Sequence, residues 1–534
     1  MKTFQPKLLT TFKNYDKKQL LSDIIAGVIV AIIALPLSIA LAIASGANPE
    51  QGLYTAIFAG FIISALGGSK VNISGPTAAF ATIVAGIIAT EGMDGLAIAT
   101  ILAGVILILM GVLRLGALIK YVPSSITVGF TSGIALTIVI GQIKDFLGLT
   151  YPAGTNAIES IEKLKAVFGN LSTFNWQAFL VGAVALAILI VWPKISKKIP
   201  GSLVVVILGA LVVNLCSLNV NTIGDLYTIS SSFPLPKFAG WSIERIIHLI
   251  PNAFTIAILA AVESLLSCVV SDGMINDKHN SNTELIAQGM GNICAGVFGG
   301  IPATGAIART AANVKNGGRS PVSGMVHAIV LLLVLLVLMP YASWIPMPVI
   351  AAILIMVAYN MCEWRKFVKT CKTAPISDII VLVCTFVLTV VFDLVVAIAV
   401  GLVLACVLML KKNTDSAKVE KWSDEKKAEN GVDQGVMVYA VEGAMFFSAS
   451  DKYDFAIEGA STVALVMDRV PFIDSTAVEK IEKLGKDCEK AETRLVIVGA
   501  ASQPQKIITK CAVKAEFYQN IADVSPKTSE TEEK

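Results

Sequence analysis

The chain alternates long apolar runs with short polar connections from about residue 22 to residue 410, a pattern that predicts membrane helices. A first set of seven runs lies at about 22–45, 50–67, 77–90, 94–113, 125–147, 177–192 and 201–218. After a polar stretch, a second set of seven lies at about 247–271, 283–298, 304–316, 321–340, 346–362, 376–391 and 393–410. The third run of each set is short and interrupted by glycine and proline.

Composition agrees with a polytopic membrane protein. Of the 534 residues, 55% are hydrophobic and only 15% are charged, and the mean hydropathy is +0.74. A soluble protein of this length carries about a quarter charged residues. The nine cysteines are scattered singly, without a C-x-x-C pair or a histidine cluster that would form a metal site. We find no nucleophile and base pair and no phosphate loop, so we expect neither an enzyme nor a nucleic-acid partner.

An odd number of spans in each set predicts that the second half enters the membrane from the opposite side, as an inverted repeat. Basic residues support an orientation with both termini in the cytoplasm. The predicted inner connections carry most of them, including Lys194, Lys278, Arg319, Arg365 and Lys411, whereas Lys144, Lys163 and Arg245 are outer exceptions. We therefore predict fourteen spans in a bacterial-type inner membrane, after a basic cytoplasmic lead at residues 1–20.

The two interrupted runs are the strongest indication of a substrate site. Residues 67–80 (GGSKVNISGPTAAF) and 299–319 (GGIPATGAIARTAANVKNGGR) both place paired glycines and a proline before a possible helix start. The first helix would begin near Thr77, and the second between Thr304 and Ala308. Because the first amides of a helix lack intrahelical partners, two such starts would attract an anion. The alternative is that both stretches are loops rich in turn residues.

Few ionisable residues lie inside the predicted spans. Glu263 stands in the middle of the eighth run, with Ser267 one turn later. We interpret the pair as a coupling-ion site, either for a proton or for Na⁺; the alternative is a carboxyl satisfied by a neighbouring helix. Arg309 follows the second interruption, and would either face the same region or extend to the inner surface. Asp393 fits a helix cap better than a ligand.

The composition changes at Lys411. Residues 411–435 are predicted to be a charged linker, residues 436–525 a soluble α/β domain, and residues 526–534 a disordered tail. Within the domain, Asp474, Ser475 and Thr476 lie where a strand ends and a helix begins. They fit a helix cap, and the alternative is a regulatory serine or a nucleotide-contact loop.

Several motifs together resemble the SulP anion permeases, also called the sulfate permease family. They are DIIAGVIVAIIALPLSIALAIASGANPEQGLYTAI, GGSKVNISGPTAAF and IPATGAIARTAANVKNGGRSP, and the C-terminal part is similar to the STAS domain of the same proteins. The sequence VESLLSCVVSDGMINDKHNSNTELIAQGMGNI most resembles the bacterial branch that includes a proton-linked C4-dicarboxylate transporter.

The resemblance implies a core domain of spans 1 to 4 and 8 to 11, a gate domain of the other spans, and an anion held between spans 3 and 10. It implies that span 1 contributes Leu37, Ser38 and Leu41 to the pocket wall. It also implies that the two helix starts contribute Pro76, Thr77, Ala78, Thr304, Ala306, Ile307, Ala308 and Arg309. In the STAS part, Ser475 matches a position that is phosphorylated in soluble relatives. A homodimer through the STAS domain and the last span is also implied.

We therefore expect a secondary transporter for a small anion, namely sulfate, bicarbonate or a C4-dicarboxylate, that works as a proton symporter. The alternatives are a Na⁺-coupled symporter, an exchanger or channel on the same fold, and a membrane sensor whose output is the STAS domain. The expected partners are the anion, membrane lipid, a second copy of the chain and a cytoplasmic regulatory protein at the STAS domain. No cofactor other than H⁺ or Na⁺ is expected.

Overall fold

The computed structural model describes residues 4–12, 15–117, 123–152, 157, 159–196, 199–236, 241–392, 394–457, 459–511 and 513–524. These form two compact units, Met1–Leu402 and Val403–Lys534. Asp393, with its predicted cap, and the tail 526–534, with its predicted disorder, lie outside the described residues.

The first unit is almost entirely helical. Its first nine helices are α1 (Lys7–Thr11), α2 (Lys17–Ala44), α3 (Pro49–Tyr54), α4 (Gly60–Leu66), α5 (Ala81–Val112), α6 (Ser124–Leu147), α7 (Ser160–Gly169), α8 (Trp176–Ile195) and α9 (Gly201–Leu215). The next are α10 (Ile223–Leu226), α11 (Ile243–Ile275), α12 (Ser281–Val297), α13 (Ile307–Lys315), α14 (Val322–Leu338), α15 (Met347–Met361), α16 (Trp364–Thr373) and α17 (Ile376–Val391). Helix α18 (Leu394–Ser416) begins in this unit and continues into the second.

Every apolar run predicted from the sequence contains helix. The third and fourth runs share α5, which is interrupted at Gly92, where φ is +69° and the backbone is not helical. Eight described helices are long and apolar enough to cross a membrane, and Gly201–Leu215 and Ile376–Val391 are apolar but shorter. Two surface helices with few buried residues, α7 and α16, lie in connections that the sequence pattern left without structure.

Two very short strands pair deep in the first unit. Strand β1 (Ser74–Gly75) lies antiparallel to β2 (Thr304–Gly305), with Ser74 opposite Gly305 and Gly75 opposite Thr304. A 3₁₀ turn at Ala78–Phe80 follows β1 and leads directly into α5, while α13 follows β2. The pairing therefore brings the two interrupted runs together back to back.

The second unit is an α/β domain around a five-stranded sheet. Its strands are β3 (Lys418–Lys421), β4 (Val436–Glu442), β5 (Thr462–Arg469), β6 (Arg494–Val498) and β7 (Glu516–Tyr518), and they lie side by side in that order. Strand β3 is antiparallel to β4, and the other neighbours are parallel. The helices are α19 (Asp424–Glu429), α20 (Ser475–Lys490) and α21 (Ser502–Lys510).

The predicted strand–helix–strand pattern at β5, α20 and β6 agrees with these elements. The prediction of a linker at 411–435 is wrong for residues 418–421, because β3 pairs with β4 through Lys418 to Lys421 as an edge strand of the sheet. Apolar clusters cover both faces of the sheet, with Tyr439, Leu465 and Ile497 on one face and Val438, Val466 and Val496 on the other.

Candidate functional site

The two interrupted runs form one structure in which both helix starts are held by backbone pairing. Besides the β1–β2 register, the amide of Ala306 donates to the carbonyl of Ile73 at 2.9 Å. Helix α13 begins at Ile307, within the interval that the sequence predicts, and the turn that precedes α5 begins at Ala78. The paired strands fix the two starts relative to each other.

Neither start is capped by a side chain. Thr77 and Ala306 occupy the N-cap positions with extended backbone, and neither makes a side-chain cap hydrogen bond. The first amides of α13, at Ile307, Ala308 and Arg309, therefore have no intrahelical acceptor. Uncapped amides and the positive end of a helix dipole together form a site that favours an anion.

Arg309 is buried beside these starts, with a relative exposure of only 1%. Its Nη2 donates to the carbonyl of Pro76 at 3.0 Å, and its Nε and Nη1 have no hydrogen-bond partner among the described residues. Gly75 makes room for it, because a Cβ there would lie 2.5 Å from Nη1. The alternative in which Arg309 extends to the inner surface is wrong, since its side chain is enclosed between the two interruptions.

Glu263 lies next to the first start and is half-buried. Its Oε2 accepts a hydrogen bond of 2.9 Å from the hydroxyl of Thr77, the residue that precedes the 3₁₀ turn. One residue later, the hydroxyl of Ser264 accepts from the amide of Gly305 at 3.0 Å and lies 2.8 Å from the hydroxyl of Thr304. Helix α11 thus contacts both interruptions, with its carboxyl directed to the first one.

Ser267, predicted to belong to the ion site, takes part in a different set of contacts. Its hydroxyl donates to Oδ1 of Asn72 at 2.8 Å and lies 3.2 Å from the hydroxyl of Thr310. Thr310 in turn donates to Asn72 and accepts from the amide of Ile73, both at 3.0 Å. Ser267 therefore joins α11 to both interrupted runs and has no hydrogen bond with Glu263.

Sequence reasoning missed a second carboxyl, Glu284 on α12. It is fully buried and accepts from the amides of Gly68 and Ser69, at 2.9 and 3.2 Å, and from Nδ2 of Asn72 at 2.8 Å. It also accepts from Nε2 of Gln288 at 3.1 Å. Four donors fix this carboxylate as the anchor of the first interrupted run. An acidic residue in the first turn of a helix is usually an exposed partner of the dipole, so its sequence position gave no signal.

The predicted residues of span 1 lie on α2. Leu37 packs with the cluster formed by α8, α9 and α15, which includes Ala185, Val205 and Ile353. Ser38 and Leu41 are buried, and the hydroxyl of Ser38 has no hydrogen-bond partner among the described residues. The part of these residues in a pocket wall stays a prediction.

A cavity of about 240 Å³ starts beside Ala79 and extends along α5 to Glu159 and Ser160 at the start of α7. Helices α6, α11 and α17 complete its wall. Its polar lining is mostly hydroxyl groups, from Thr82, Thr90, Thr137, Ser160, Thr255 and Thr389, together with Asn252 and Glu159. The cavity therefore places several hydroxyl groups close to the start of α5.

The carboxylate of Glu263 and the hydroxyl of Thr77 offer oxygen atoms of the type that bind a hard cation. In the part of the chain that the structure describes, no group of three or more His, Cys, Asp or Glu side chains is placed to hold a metal ion.

In the second unit, Asp474 caps helix α20. Its Oδ1 accepts from the amide of Ala477 at 3.0 Å and its Oδ2 accepts from the amide of Phe447 at 2.8 Å. Ser475 is the first residue of the helix, and its side chain is exposed. The predicted cap is present, and the regulatory use of Ser475 stays a prediction.

Comparison with known proteins identifies both units. The profile of the sulfate permease family matches residues 20–387, and that of the STAS domain matches residues 427–533. A putative sulfate transporter of Bacillus subtilis, YvdB, is 40% identical over 93% of this chain and 95% of its own length. The bicarbonate transporter BicA of Picosynechococcus is 32% identical over 91% of this chain and 90% of its own.

Solved structures agree on the fold. The transmembrane domain of a cyanobacterial BicA covers 73% of this chain and 98% of that domain, with a TM-score of 0.65 and 29% identity. The structure of SLC26A9 covers 95% of this chain and 89% of that protein, with a TM-score of 0.84 at 20% identity. The matches span the helical unit as well as the C-terminal domain. The chain therefore belongs to the sulfate permease family, a family of transporters rather than enzymes, and carries a C-terminal STAS domain.

Proposed function

We propose that this protein is a secondary active transporter of a small anion, which binds between the helix starts at Ala78 and Ile307. The observation that carries the proposal is the paired interruption, which places two uncapped starts beside the buried guanidinium of Arg309. Arg309 has no carboxylate within ion-pair distance in the part of the chain that the structure describes. A bound anion would supply the missing negative charge.

Sulfate and bicarbonate are the anions in the names of the similar proteins, and a C4-dicarboxylate is the third candidate from the sequence. All three present oxygen atoms that backbone amides and a guanidinium bind well. The polar groups do not distinguish them, so the shape of the pocket around Ser38, Leu41 and Ala79 would decide which anion is carried.

Glu263 is the proposed coupling group, and a proton is the proposed coupling ion. Its hydrogen bond from Thr77 places a carboxylate next to the first helix start. A negative charge there opposes binding of an anion, and protonation removes that opposition. Na⁺ bound by the oxygens of Glu263 and Thr77 would offset the same negative charge, so a Na⁺ symporter is the second candidate.

The proposal includes fourteen spans in a seven-plus-seven inverted repeat, with both termini in the cytoplasm. It is supported by helices in every apolar run and by the antiparallel pairing of the two interrupted stretches, 67–80 and 299–319. Spans 1 to 4 and 8 to 11 would form the core, and the others the gate against which the core moves. The STAS domain and the last span would form a homodimer, and the exposed start of α20 at Ser475 would be open to a regulatory protein.

The decisive experiment is uptake of labelled sulfate, bicarbonate and succinate into liposomes that contain the purified protein. Each anion is measured with and without an inward proton gradient, and with and without Na⁺. We expect saturable uptake of one anion, driven by the proton gradient. A conductive, non-saturable flux would show a channel. Uptake that requires Na⁺ would show that Na⁺, and not the proton, is the coupling ion.

The remaining alternative, a sensor with the STAS domain as its output, is tested by a protein truncated after Lys411. We expect residual uptake, because the proposed anion site lies entirely within the first unit. If neither the full chain nor the truncated chain carries any of the three anions, the transporter proposal fails.

A further inference from the structure

The face of the first unit that carries the predicted inner connections contains a large polar cavity unrelated to the helix starts. Its volume is about 600 Å³, within the range of roughly 300–1,000 Å³ that is usual for small-molecule sites. The lining comes from four places: the N-terminal lead, the end of α4, the α11–α12 connection and the α13–α14 connection. The lining residues are Gln5, Lys7, Thr10, Thr11, Tyr15, Gln19, Lys70, Lys278, His279, Asn280, Arg319 and Ser320.

The charges of this lining are one-sided. Four cationic side chains face the cavity, from Lys7, Lys70, Lys278 and Arg319, and none of the lining residues is acidic. Asp277 lies next to it, where its Oδ2 is 3.3 Å from Nζ of Lys7 and 3.0 Å from Nζ of Lys70. One carboxylate is thus shared by two ammonium groups, and the side chains of Lys278 and Arg319 are left outside this ion pair.

The acids near the lining are Asp277, Asp272, Asp23 and Asp16, and each accepts hydrogen bonds; Asp16 accepts from the amide of Gln19 at 2.7 Å. Partial burial raises the pKa of Asp277, but the Lys278 amide and the ammonium groups of Lys70 and Lys7 outweigh it, and the pKa is lowered overall. Asp272 is bound to Nδ1 of His279 at 2.7 Å. Asp23 is fully buried and accepts from Tyr15 and from the amide of Arg319, both at 2.7 Å.

Two of the four cations have no acidic partner among the described residues. Lys278 is exposed and makes no ion pair there. Arg319 uses only Nη1, which donates to the carbonyls of Val314 and Gly318 at 2.8 Å, so the rest of its guanidinium is available. The hydroxyl groups of Thr10 and Thr11 donate to the Lys7 carbonyl, and would have to rotate away from it to donate to a ligand.

The N-terminal lead is fixed over this cavity by backbone contacts. The amide of Lys7 donates to the carbonyl of Gly67 at 2.9 Å, and the amide of Gln5 donates to the hydroxyl of Thr283 at 3.3 Å. The wall of the cavity is therefore built from segments far apart in the sequence that are joined by hydrogen bonds.

We propose that this cavity is a second anion site, separate from the helix starts, that binds a phosphate-bearing ligand through Lys7, Lys70, Lys278 and Arg319. A phosphate ester carries close to two negative charges and three acceptor oxygens, which matches the surplus cations and the guanidinium fork. The space exceeds a single phosphate, so the ester would be part of a nucleotide-sized molecule or of a lipid headgroup. Its occupancy would join the N-terminal lead to the connections at the ends of α4, α11 and α13.

The test measures binding to the purified full-length protein. Radiolabelled ATP without Mg²⁺ is the soluble probe in detergent, with inorganic phosphate as competitor. Nanodiscs of phosphatidylcholine with or without phosphatidic acid are the lipid probe, read by the midpoint of thermal unfolding. The site variant is Lys278→Gln with Arg319→Gln. The matched control is Lys369→Gln with Lys372→Gln, which removes the same charge from two exposed lysines of α16 outside the cavity.

We expect saturable binding that the site variant weakens about tenfold or more, because two charged contacts are lost, while the control binds like the original protein. ATP binding with this pattern shows a soluble ligand, and stabilisation only by phosphatidic acid with this pattern shows a lipid headgroup. Lys278→Glu repeats the test at a residue without an ion pair, so a folding defect is not mistaken for loss of the site. Equal weakening by both double variants, or no saturable effect of either probe, overturns the proposal.

Discussion

Replacement of Glu263 by glutamine tests the coupling proposal at a single atom. The side chain keeps its shape, and its amide oxygen still accepts from Thr77 Oγ1, now 2.9 Å from Oε2. What disappears is the ability to gain or lose a proton and to carry a negative charge. The substitution therefore mimics the protonated carboxyl permanently and should leave the anion site intact.

The magnitude follows from the stoichiometry and from this hydrogen bond. If one proton accompanies each anion, a gradient of one pH unit adds about 1.4 kcal/mol to uptake, or about tenfold in accumulation. At a pH where Glu263 is protonated, the variant carries the same charge and differs mainly in its Thr77 hydrogen bond, by about 1 kcal/mol, so the apparent anion affinity should then differ by less than about tenfold. The gradient effect is thus separable from the affinity effect.

The assay is initial and steady-state uptake into proteoliposomes at several outside pH values, with a fixed inside pH. We expect the Glu263→Gln protein to exchange internal for external anion but to show no accumulation driven by the proton gradient. Asp94→Asn is the control, because Asp94 is an exposed carboxyl on α5 away from the site. A Glu263→Gln protein that transports with unchanged dependence on pH and Na⁺ would refute the reasoning.

Three further substitutions test the structure around the site. Glu284→Ala leaves the amides of Gly68 and Ser69 and Nδ2 of Asn72 without this acceptor, each at a cost of about 1–3 kcal/mol, while Nε2 of Gln288 keeps Ser74. The variant should lower the thermal unfolding midpoint in detergent by more than Asp94→Asn does. Gly75→Ala puts a Cβ 2.5 Å from Arg309 Nη1 and should abolish uptake, whereas Gly273→Ala, which meets nothing within 4 Å, should transport normally. Asp474→Ala should destabilise α20 by about 0.5–2 kcal/mol, seen as faster hydrogen exchange of its amides in the full-length protein.

Much of the helical unit could be predicted from the sequence because membrane helices leave a simple signal. A long apolar run in lipid can only be helical, so each run indicates one helix. The interruptions were also readable, since paired glycines and a proline cannot continue a helix. The pairing of Ser74 with Gly305 could not be predicted, because two residues that are 231 positions apart leave no local pattern in the sequence.

The errors and omissions have local physical reasons. Strand β3, KVEK, is an edge strand with mostly exposed side chains, so its composition is that of a linker. Glu284 has the sequence position of an ordinary acidic residue in a first helical turn, and only the fold surrounds it with donors. Arg309 could not be assigned to the core or to the surface from sequence, because a long side chain reaches either; its burial depends on the space at Gly75.

The charges around the helix starts also explain why the proposed anion site would need few basic residues. Arg309 is buried, and its Nε and Nη1 have no hydrogen-bond partner among the described residues, while the carboxylate of Glu263 accepts from Thr77. In the proposal, the uncapped amides at Ile307 and Ala308 add to this positive charge and favour one small anion, whereas an ionised Glu263 lowers that preference. In the proposed mechanism, an anion and a proton or Na⁺ therefore bind more tightly together than either does alone, which is the thermodynamic condition for symport.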